Sequence, residues 1–304
     1  MQRENNYEVI ILGSGPAGMT CAMYLKRANI NPLIIEQTSP GGTLNSISDL
    51  SNYPGYIEKS GATLAFRMYS QIEELSVDMK LEKVENITKE NDNYIVKTNK
   101  NIYISKIIVI ATGKMPRKLN ILNAQKYEGK GISYCATCDG ALYKEKDVAI
   151  IGGGNSAIAT ANYLSNIVNK IYIINRSEKL RATDKLVTED LNKIEILFNS
   201  NIKEIIEEND KIIGIRLNDE KEINVEGIFV CIGKENNNAF YQNLNLNTDD
   251  KGIIVDDVMQ TSMKNVYAIG DVVSKSLYQV INASGEGAVA ASNIIKTLRE
   301  ISNS

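Results

Sequence analysis

The chain has 304 residues, no histidine and only four cysteines. Histidine is the commonest general base and metal ligand of proteins, so proton transfer here falls to other side chains, carboxylates first. Four cysteines in a chain this long do not make a disulfide framework, and they suit a reducing cytosol. Structural zinc needs four ligands, usually Cys or His. Beside Cys135 and Cys138 stand only Cys21 and Cys231, far apart, so no second ligand pair exists and no metal site is expected. Charge of neither sign is in excess: 34 Lys and Arg against 37 Asp and Glu leave −3, interspersed. No basic footprint points to nucleic acid or an anionic membrane. Long apolar runs are also missing. The N-terminus opens on polar residues, Gln2 to Asn6, and its first apolar run is short, so neither a secretory leader nor a membrane span is expected. What remains is a soluble, cytoplasmic α/β protein, long enough for about two domains.

Glycine is well placed where it occurs. Tyr7 to Leu12 reads as an apolar strand running into Gly13-Ser14-Gly15-Pro16-Ala17-Gly18, then a helix to about Ala28. A second apolar run from Pro32 to Ile35 ends at Glu36. Strand, glycine turn, helix and acid in this order form a dinucleotide fingerprint. Gly13 permits the tight turn, Gly15 lets a pyrophosphate approach the backbone, and Gly18 allows the helix to pack on the strand. The helix N-terminus faces the phosphates, and Glu36 can accept hydrogen bonds from a ribose.

Turn-rich loops follow between Ser39 and Gly55, then a helix from Ala62 to Leu75. Val84–Ile87, Asn93–Thr98 and Asn101–Ser105 read as antiparallel strands, and Ile107–Ala111 as a separate buried strand ending at Thr112-Gly113. Lys114-Met115-Pro116 is a linker candidate. A second strand, Asp147–Ile151, enters Gly152-Gly153-Gly154-Asn155-Ser156-Ala157, with a helix to about Ser165 and a strand from Lys170 to Ile174. No acid follows that strand; Asn175, Arg176 and, further on, Arg181 do. An acid there favours an unphosphorylated ribose and arginine a 2′-phosphate, so the second nucleotide reads as NADP(H). The same arginines are also what an ordinary solvated surface carries. A helix from Asp184 to Lys193 is expected next. Strands follow near Glu195–Phe198, Ile202–Glu207, Ile212–Leu217 and Gly227–Gly233, and then a second linker from Lys234 to Asn238. Val266–Asp271 is a strand ending in Gly-Asp, and the small residues Ala283 to Ala288 open a final helix. The second nucleotide unit is thus inserted into the first.

Between the two fingerprints lies Cys135-Ala136-Thr137-Cys138-Asp139-Gly140. Two cysteines separated by two residues can close a small ring and carry thiol–disulfide exchange. Two inert buried cysteines are the alternative.

Gly-Ser-Gly-Pro-Ala-Gly near the start, Ala-Thr-Gly at 111–113, Cys-Ala-Thr-Cys-Asp-Gly at 135–140, Gly-Gly-Gly-Asn-Ser-Ala at 152–157 and Ala-Ile-Gly-Asp at 268–271 stand in one familiar order. The chain resembles, over essentially its whole length, the low-molecular-weight, bacterial-type thioredoxin reductases. Disulfide reductases of the glutathione reductase type keep their cysteines in the first domain, where this chain has none after Cys21. The resemblance implies an α/β fold of two Rossmann-like domains, the second inserted in the first. Residues 1–113 and 245–304 would form the FAD-binding domain and 114–244 the NADP(H)-binding domain with the redox disulfide.

Site residues follow from the same resemblance. FAD would be held by Gly13, Ser14, Gly15, Pro16, Ala17, Gly18 and Glu36. Gly42, Thr43, Leu44, Asn52, Thr112 and Gly113 would line its flavin and ribityl chain, and Gly270, Asp271, Gln279 and Val280 would complete the site. Gly152, Gly154, Asn155, Ser156, Ala157, Arg176, Ser177 and Arg181 would take NADPH. Cys135 and Cys138 would be the redox disulfide, and Asp139 the acid that protonates and deprotonates the dithiol. An Asp-Gly pair is also ordinary turn chemistry. Two departures stand out. The family's His-Arg-Arg reads here Asn175-Arg176-Ser177, which implies a weaker preference for NADPH over NADH, and Tyr278 stands where many members have Arg.

The implied reaction passes hydride from NADPH to FAD, then two electrons to Cys135–Cys138, then to thioredoxin, in a homodimer whose smaller domain rotates about its two linkers. Two other classes remain. A nicotinamide-independent, ferredoxin-linked flavin reductase is opposed by the intact Gly152–Asn155 turn. A non-catalytic FAD-binding dithiol sensor is opposed by the retention of both cysteines and Asp139.

Overall fold

The structure, a computed structural model, describes residues 5–47, 50–186, 191–235 and 239–302. In chain order, strand β1 (Asn6–Leu12), helix α1 (Pro16–Arg27) and β2 (Pro32–Glu36) are followed by α2 (Gly61–Glu74), β3 (Asp78–Leu81), β4 (Val84–Glu90), β5 (Asn93–Thr98) and β6 (Ile102–Ile110). Then come β7 (Met115–Pro116), β8 (Ile132–Ser133), the single turn α3 (Ala136–Asp139), β9 (Asp147–Ile151), α4 (Asn155–Leu164) and β10 (Lys170–Ile174). β11 (Ile194–Leu197), β12 (Ile202–Glu208), β13 (Lys211–Leu217), β14 (Glu222–Asn224), β15 (Gly227–Val230) and β16 (Lys234–Glu235) lead to β17 (Val266–Ala268) and α5 (Val280–Ser302). The chain divides into two compact units, Met1–Lys114 with Asn236–Ser304, and Met115–Glu235.

In the first unit a sheet runs in the order β3-β2-β1-β6-β5-β4, with β17 also paired to β6. β1 is parallel to both β2 and β6, and it is covered on both faces. Val9 and Ile11 join a cluster with α1 and α5, while Ile10 and Leu12 join one with Phe240, Tyr241 and Leu244 on the other side. That double burial is why the strand reads as an unbroken apolar run rather than an alternation. Ser60 caps α2, its hydroxyl accepting from the Thr63 amide at 3.3 Å.

The second unit carries a five-stranded parallel sheet, β11-β10-β9-β15-β8, a three-stranded antiparallel sheet, β12-β13-β14, and the ribbon β16-β7. Val148 and Ile150 of β9 pack with α4 residues, whereas Ala149 and Ile151 face Ile212, Ile215 and Leu217 of the small sheet. Among the described residues no helix is long and apolar enough to cross a membrane.

Several expectations change. Asn101–Ser105 and Ile107–Ala111 are one strand, β6. Its first half pairs antiparallel with β5 and its second half parallel with β17. Exposure alternates from Ile102 to Lys106 and stops at Ile107, where both faces are covered, so one strand imitates two. The expected helix from Asp184 is absent over 184–186, because Asn155 Oδ1 takes the Thr183 and Asp184 amides and ties the segment to the glycine turn. Its positions 187–190 lie outside the described residues, and Leu191–Lys193 is a short 3-10 turn. Helix α5 begins at Val280, ahead of the small-residue run. Those residues serve the α1 interface: a Cβ on Gly287 would sit 2.4 Å from the Ala17 carbonyl. The inserted unit ends at Glu235, not at 244, since Ala239–Leu244 buries Phe240, Tyr241 and Leu244 in the first unit's core. The two expected linkers are partly structured as well. Met115–Pro116 pairs with Lys234–Glu235, and residues 236–238 of the second linker lie outside the described residues.

Candidate active site

The two glycine turns are built alike. Gly13 N donates to Ile35 O at 2.8 Å and Gly152 N to Ile174 O at 3.0 Å. Ala111 N meets Leu12 O, as Cys231 N meets Ile151 O, at 2.8 and 2.7 Å. Gly13 and Gly152 have φ of +105° and +135°, and a Cβ on either would lie within 2.5 Å of the neighbouring strand's carbonyl, Ala111 or Cys231. A Cβ on Gly18 would lie 2.1 Å from Gly13 O, so α1 can only pack this closely with glycine there. Gly15 and Gly154 differ: each is extended, caps its helix without a side-chain hydrogen bond, and has open space where a Cβ would go. Open space thus lies beside Gly15 and Gly154 at the N-termini of α1 and α4, where a pyrophosphate could approach the backbone.

In the first unit Glu36 is buried beside its turn. One carboxylate oxygen accepts from Ser14 N and Oγ at 2.9 and 2.7 Å, the other from Thr38 N and Oγ1 at 2.9 and 3.2 Å. The hydroxyl partners can rotate away, so a ribose diol can replace them while both amides stay. The Gly41 amide donates to Ser14 O, and Gly42, at φ +55°, backs directly on Gly15. Leu44 is buried and Thr43 lies in the same 3-10 turn. Asn52 and Gln279, 227 residues apart, meet through a 2.9 Å hydrogen bond just before Val280 opens α5. Gly270, at φ +75°, sits against Ala17 and leads into Asp271. Thr112 Oγ1 and Ser284 Oγ are buried without a hydrogen-bond partner. Thr112 stands next to the Gly13 turn and is followed by Gly113 at φ +62°. An orphaned buried hydroxyl beside an open phosphate turn fits a bound dinucleotide cofactor.

In the second unit Asn175 holds the position that Glu36 holds in the first. A Cβ on Gly153 would strike Asn175 Oδ1 at 2.3 Å, and the Asn175 amide ties down the loop through Ser177 O and Lys179 O at 2.9 and 3.0 Å. The Arg181 amide returns to Gly153 O at 2.7 Å, so the loop from Arg176 to Arg181 closes over the turn. Arg176 and Arg181 are exposed, and neither takes part in an ion pair among the described residues. Asn155 braces the loop from below, Ser156 follows it, and Ala157 is fully buried.

Cys135 and Cys138 form a disulfide with Cα atoms 5.3 Å apart. Cys135 is the N-cap of α3 and half-buried, and Cys138 is exposed. The Cys138 amide donates to Cys135 Sγ at 3.3 Å, and Thr137 Oγ1 lies 3.4 Å from it. Asp139 Oδ2 accepts from Ser133 Oγ at 2.7 Å. The other two cysteines are free; burial pushes both thiols up, Cys21 far above the ordinary range. No group of three metal-ligating side chains occurs among the described residues.

Sequence reading missed two participants. Ser133 is one; its only signal is its place two residues before Cys135. Glu286 is the other. It accepts from the Gly270 amide at 2.7 Å and pairs with Lys275 at 2.7 Å, both side chains largely buried, so it props the Gly270-Asp271 turn. A lone acid between two glycines was its signal.

Two nucleotide turns and a redox-ready cysteine pair define a class of protein. Residues 7–287 match the pyridine nucleotide-disulphide oxidoreductase family, and the chain belongs to it. The chain is 34% identical to the thioredoxin reductase of Bacillus subtilis strain 168, over 99% of this chain and 98% of that one. It is 40% identical to that of Mycoplasma genitalium, over 93% of each. The crystal structure of Lactococcus lactis thioredoxin reductase matches with a TM-score of 0.88 and 35% identity, covering 97% of this chain and 99% of the other. Within the family, then, the chain groups with the low-molecular-weight thioredoxin reductases.

Proposed function

We propose that the chain is an FAD-dependent NADPH:thioredoxin-disulfide oxidoreductase. The observation that carries this is the Cys135–Cys138 disulfide standing beside Asp139 in the unit that also holds the second glycine turn. The first unit takes FAD on Gly13 to Gly18, Glu36, Thr112 and Asp271, and Met115–Glu235 takes NADPH on Gly152 to Ala157, Arg176, Ser177 and Arg181. Both turns support this with open space at Gly15 and Gly154. The intact second turn and its cation-bearing loop favour a nicotinamide donor over ferredoxin.

Bound FAD and NADPH supply hydride transfer and a two-electron path that reduces the disulfide. The rest is the chain's own chemistry. One thiolate of the reduced pair attacks a sulfur of oxidised thioredoxin and displaces the other sulfur as thiolate. The second cysteine then attacks its partner, which releases dithiol thioredoxin and re-forms Cys135–Cys138. Asp139 takes the proton from the attacking thiol and returns one to the leaving sulfur, a task for which the chain offers no histidine. The working form is a cytosolic homodimer, a reading that rests on the family resemblance and is checked by sedimentation.

The test is substitution of either cysteine. Cys135→Ser and Cys138→Ser abolish thioredoxin reduction but keep FAD bound and reducible by NADPH, because the pair lies outside both glycine turns. Absorbance at the flavin band reads both outcomes, and loss of flavin from either variant contradicts the assignment.

A further inference from the structure

Ser133 is 2% exposed, and pairing between Ser133 and Phe229 holds its backbone at the edge of the parallel sheet. Its hydroxyl lies 2.7 Å from Asp139 Oδ2 and 3.2 Å from the Cys135 carbonyl, and it accepts from the Cys135 amide at 3.1 Å. A hydroxyl has one hydrogen and two lone pairs, so it can donate to only one of those two oxygens at a time. With Asp139 ionised, the hydrogen points to the carboxylate, which is the shorter contact. With Asp139 protonated, the acid's own hydrogen can point to Ser133 Oγ, and the Ser133 hydrogen turns to the Cys135 carbonyl. In both states the Cys135 amide keeps its acceptor, and no buried polar group is left without a partner.

We propose that Ser133 is a positioning residue for Asp139, a buried hydroxyl that keeps this acid hydrogen-bonded in both protonation states, as donor to the carboxylate and as acceptor from the acid. This rests on the reading of Asp139 as the proton carrier of disulfide exchange. The proton account balances. Asp139 gives a proton to the leaving thiolate and becomes a carboxylate, the Ser133 hydrogen swings from the Cys135 carbonyl to Oδ2, and deprotonation of the next thiol reverses both moves. The titratable group that meets Asp139 electrostatically is Tyr143, from the following 3-10 turn; Cys135 and Cys138 flank it in sequence, and Tyr163 of α4 packs against the neighbouring Gly140. Burial first, and then the charge of Asp139, push the Tyr143 phenol up, so it stays neutral at working pH. No ion pair reaches Asp139 among the described residues.

Removing the hydroxyl takes a charge-assisted bond from the carboxylate and only a neutral one from the protonated acid, so the balance between the two states moves toward the acid. The experiment follows the rate at which reduced holoenzyme converts oxidised thioredoxin between pH 5 and 9. It compares wild type, Ser133→Ala, Ser133→Thr, Asp139→Asn and the Ser133→Ala/Asp139→Asn double variant. In Ser133→Ala the limb reporting Asp139 moves toward higher pH, because the bond lost from the carboxylate is the stronger of the two. Ser133→Thr, which keeps the hydroxyl, restores the wild-type limb, and Ser133→Ala adds nothing in the Asp139→Asn background. A Ser133→Ala profile that superimposes on wild type overturns the inference. So does an equal slowing with and without Asp139, which marks a merely structural role. An Asp139→Asn variant with the wild-type rate and profile overturns instead the parent reading of Asp139, and the two failures are thereby told apart.

Discussion

Glu36 and Asn175 occupy one position in two copies of the same turn, and on the proposed reading their difference sets which nucleotide each copy accepts. Glu36 presents a carboxylate to a ribose, whereas Asn175 spends its amide on the loop that carries Arg176, Ser177 and Arg181. On that reading the exposed Arg176 and Arg181 are the cations that would meet a 2′-phosphate. We expect NADPH to be preferred over NADH, with Arg176→Ala erasing most of the preference and Ser177→Arg strengthening it. At an exposed site one such bond is worth about tenfold. The effect lies in the Michaelis constant for NADPH, because the phosphate is remote from hydride transfer. Steady-state kinetics with both nucleotides decide it; wild type using them equally, with Arg176→Ala changing neither, sinks the phosphate-site reading. A second residue matters for stability. Glu82 is buried and accepts from Thr98 Oγ1, Asn101 Nδ2 and Tyr103 OH at 2.6, 2.7 and 3.0 Å. Burial alone would raise its carboxyl, but the three hydrogen bonds outweigh burial and hold it below its ordinary value of 4.5. A carboxyl depressed by folding contributes stability above its unfolded value and loses it as pH falls through the folded one. Glu82→Gln should therefore cost about 1–2 kcal/mol at pH 7. The gap in urea midpoint between it and wild type should shrink on acidification toward pH 3.

At the scale of elements, each glycine turn separates folding from binding within six residues. A Cβ on Gly18 collides with Gly13 O, so Gly18→Ala should force α1 off β1 and lower the melting temperature by several degrees. Gly15 has room and an ordinary φ of −71°. Gly15→Ala should therefore keep the wild-type melting temperature of the flavin-free protein and bind FAD at least tenfold more weakly, since its methyl fills the phosphate's place. Thermal melts of the apoprotein and fluorimetric flavin titration separate the two. Equal FAD affinity in Gly15→Ala would show that the pyrophosphate does not lie on this turn.

On the scale of the whole molecule, the inserted unit is continuous in sequence and has cores on both faces of its own sheet. Residues 115–235 expressed alone should fold cooperatively and keep the Cys135–Cys138 disulfide, yet give no thioredoxin turnover with NADPH, because the electron path needs the flavin of the other unit. Circular dichroism, thiol titration and an insulin-coupled assay check this, and an excised unit that stays unfolded would show that its cores depend on the rest of the chain. Against thioredoxin, near −270 mV, the disulfide of the intact enzyme should equilibrate within a few tens of millivolts, as about 30 mV is a tenfold ratio.

Much of this was legible before any coordinates. A turn that needs positive φ, a helix that must touch a strand, and a phosphate that must reach backbone each demand glycine at a fixed spacing. Gly13 and Gly18, where a Cβ would strike neighbouring backbone, and the Cys135–Cys138 pair, which closes a disulfide, are where spacing alone pointed to the local geometry found. These are local steric and chemical demands, and spacing along the chain encodes them directly. Pairings between distant segments are not encoded in this way. That β6 is one strand follows from β5 and β17 sharing its edge, and that the insert closes at Glu235 follows from Phe240 and Tyr241 burying against β4 and its neighbours. Asn52 meets Gln279, and Glu286 props Gly270, only because α5 lies along α1. Burial of a face depends on what covers it, and the covering segment came from more than a hundred residues away.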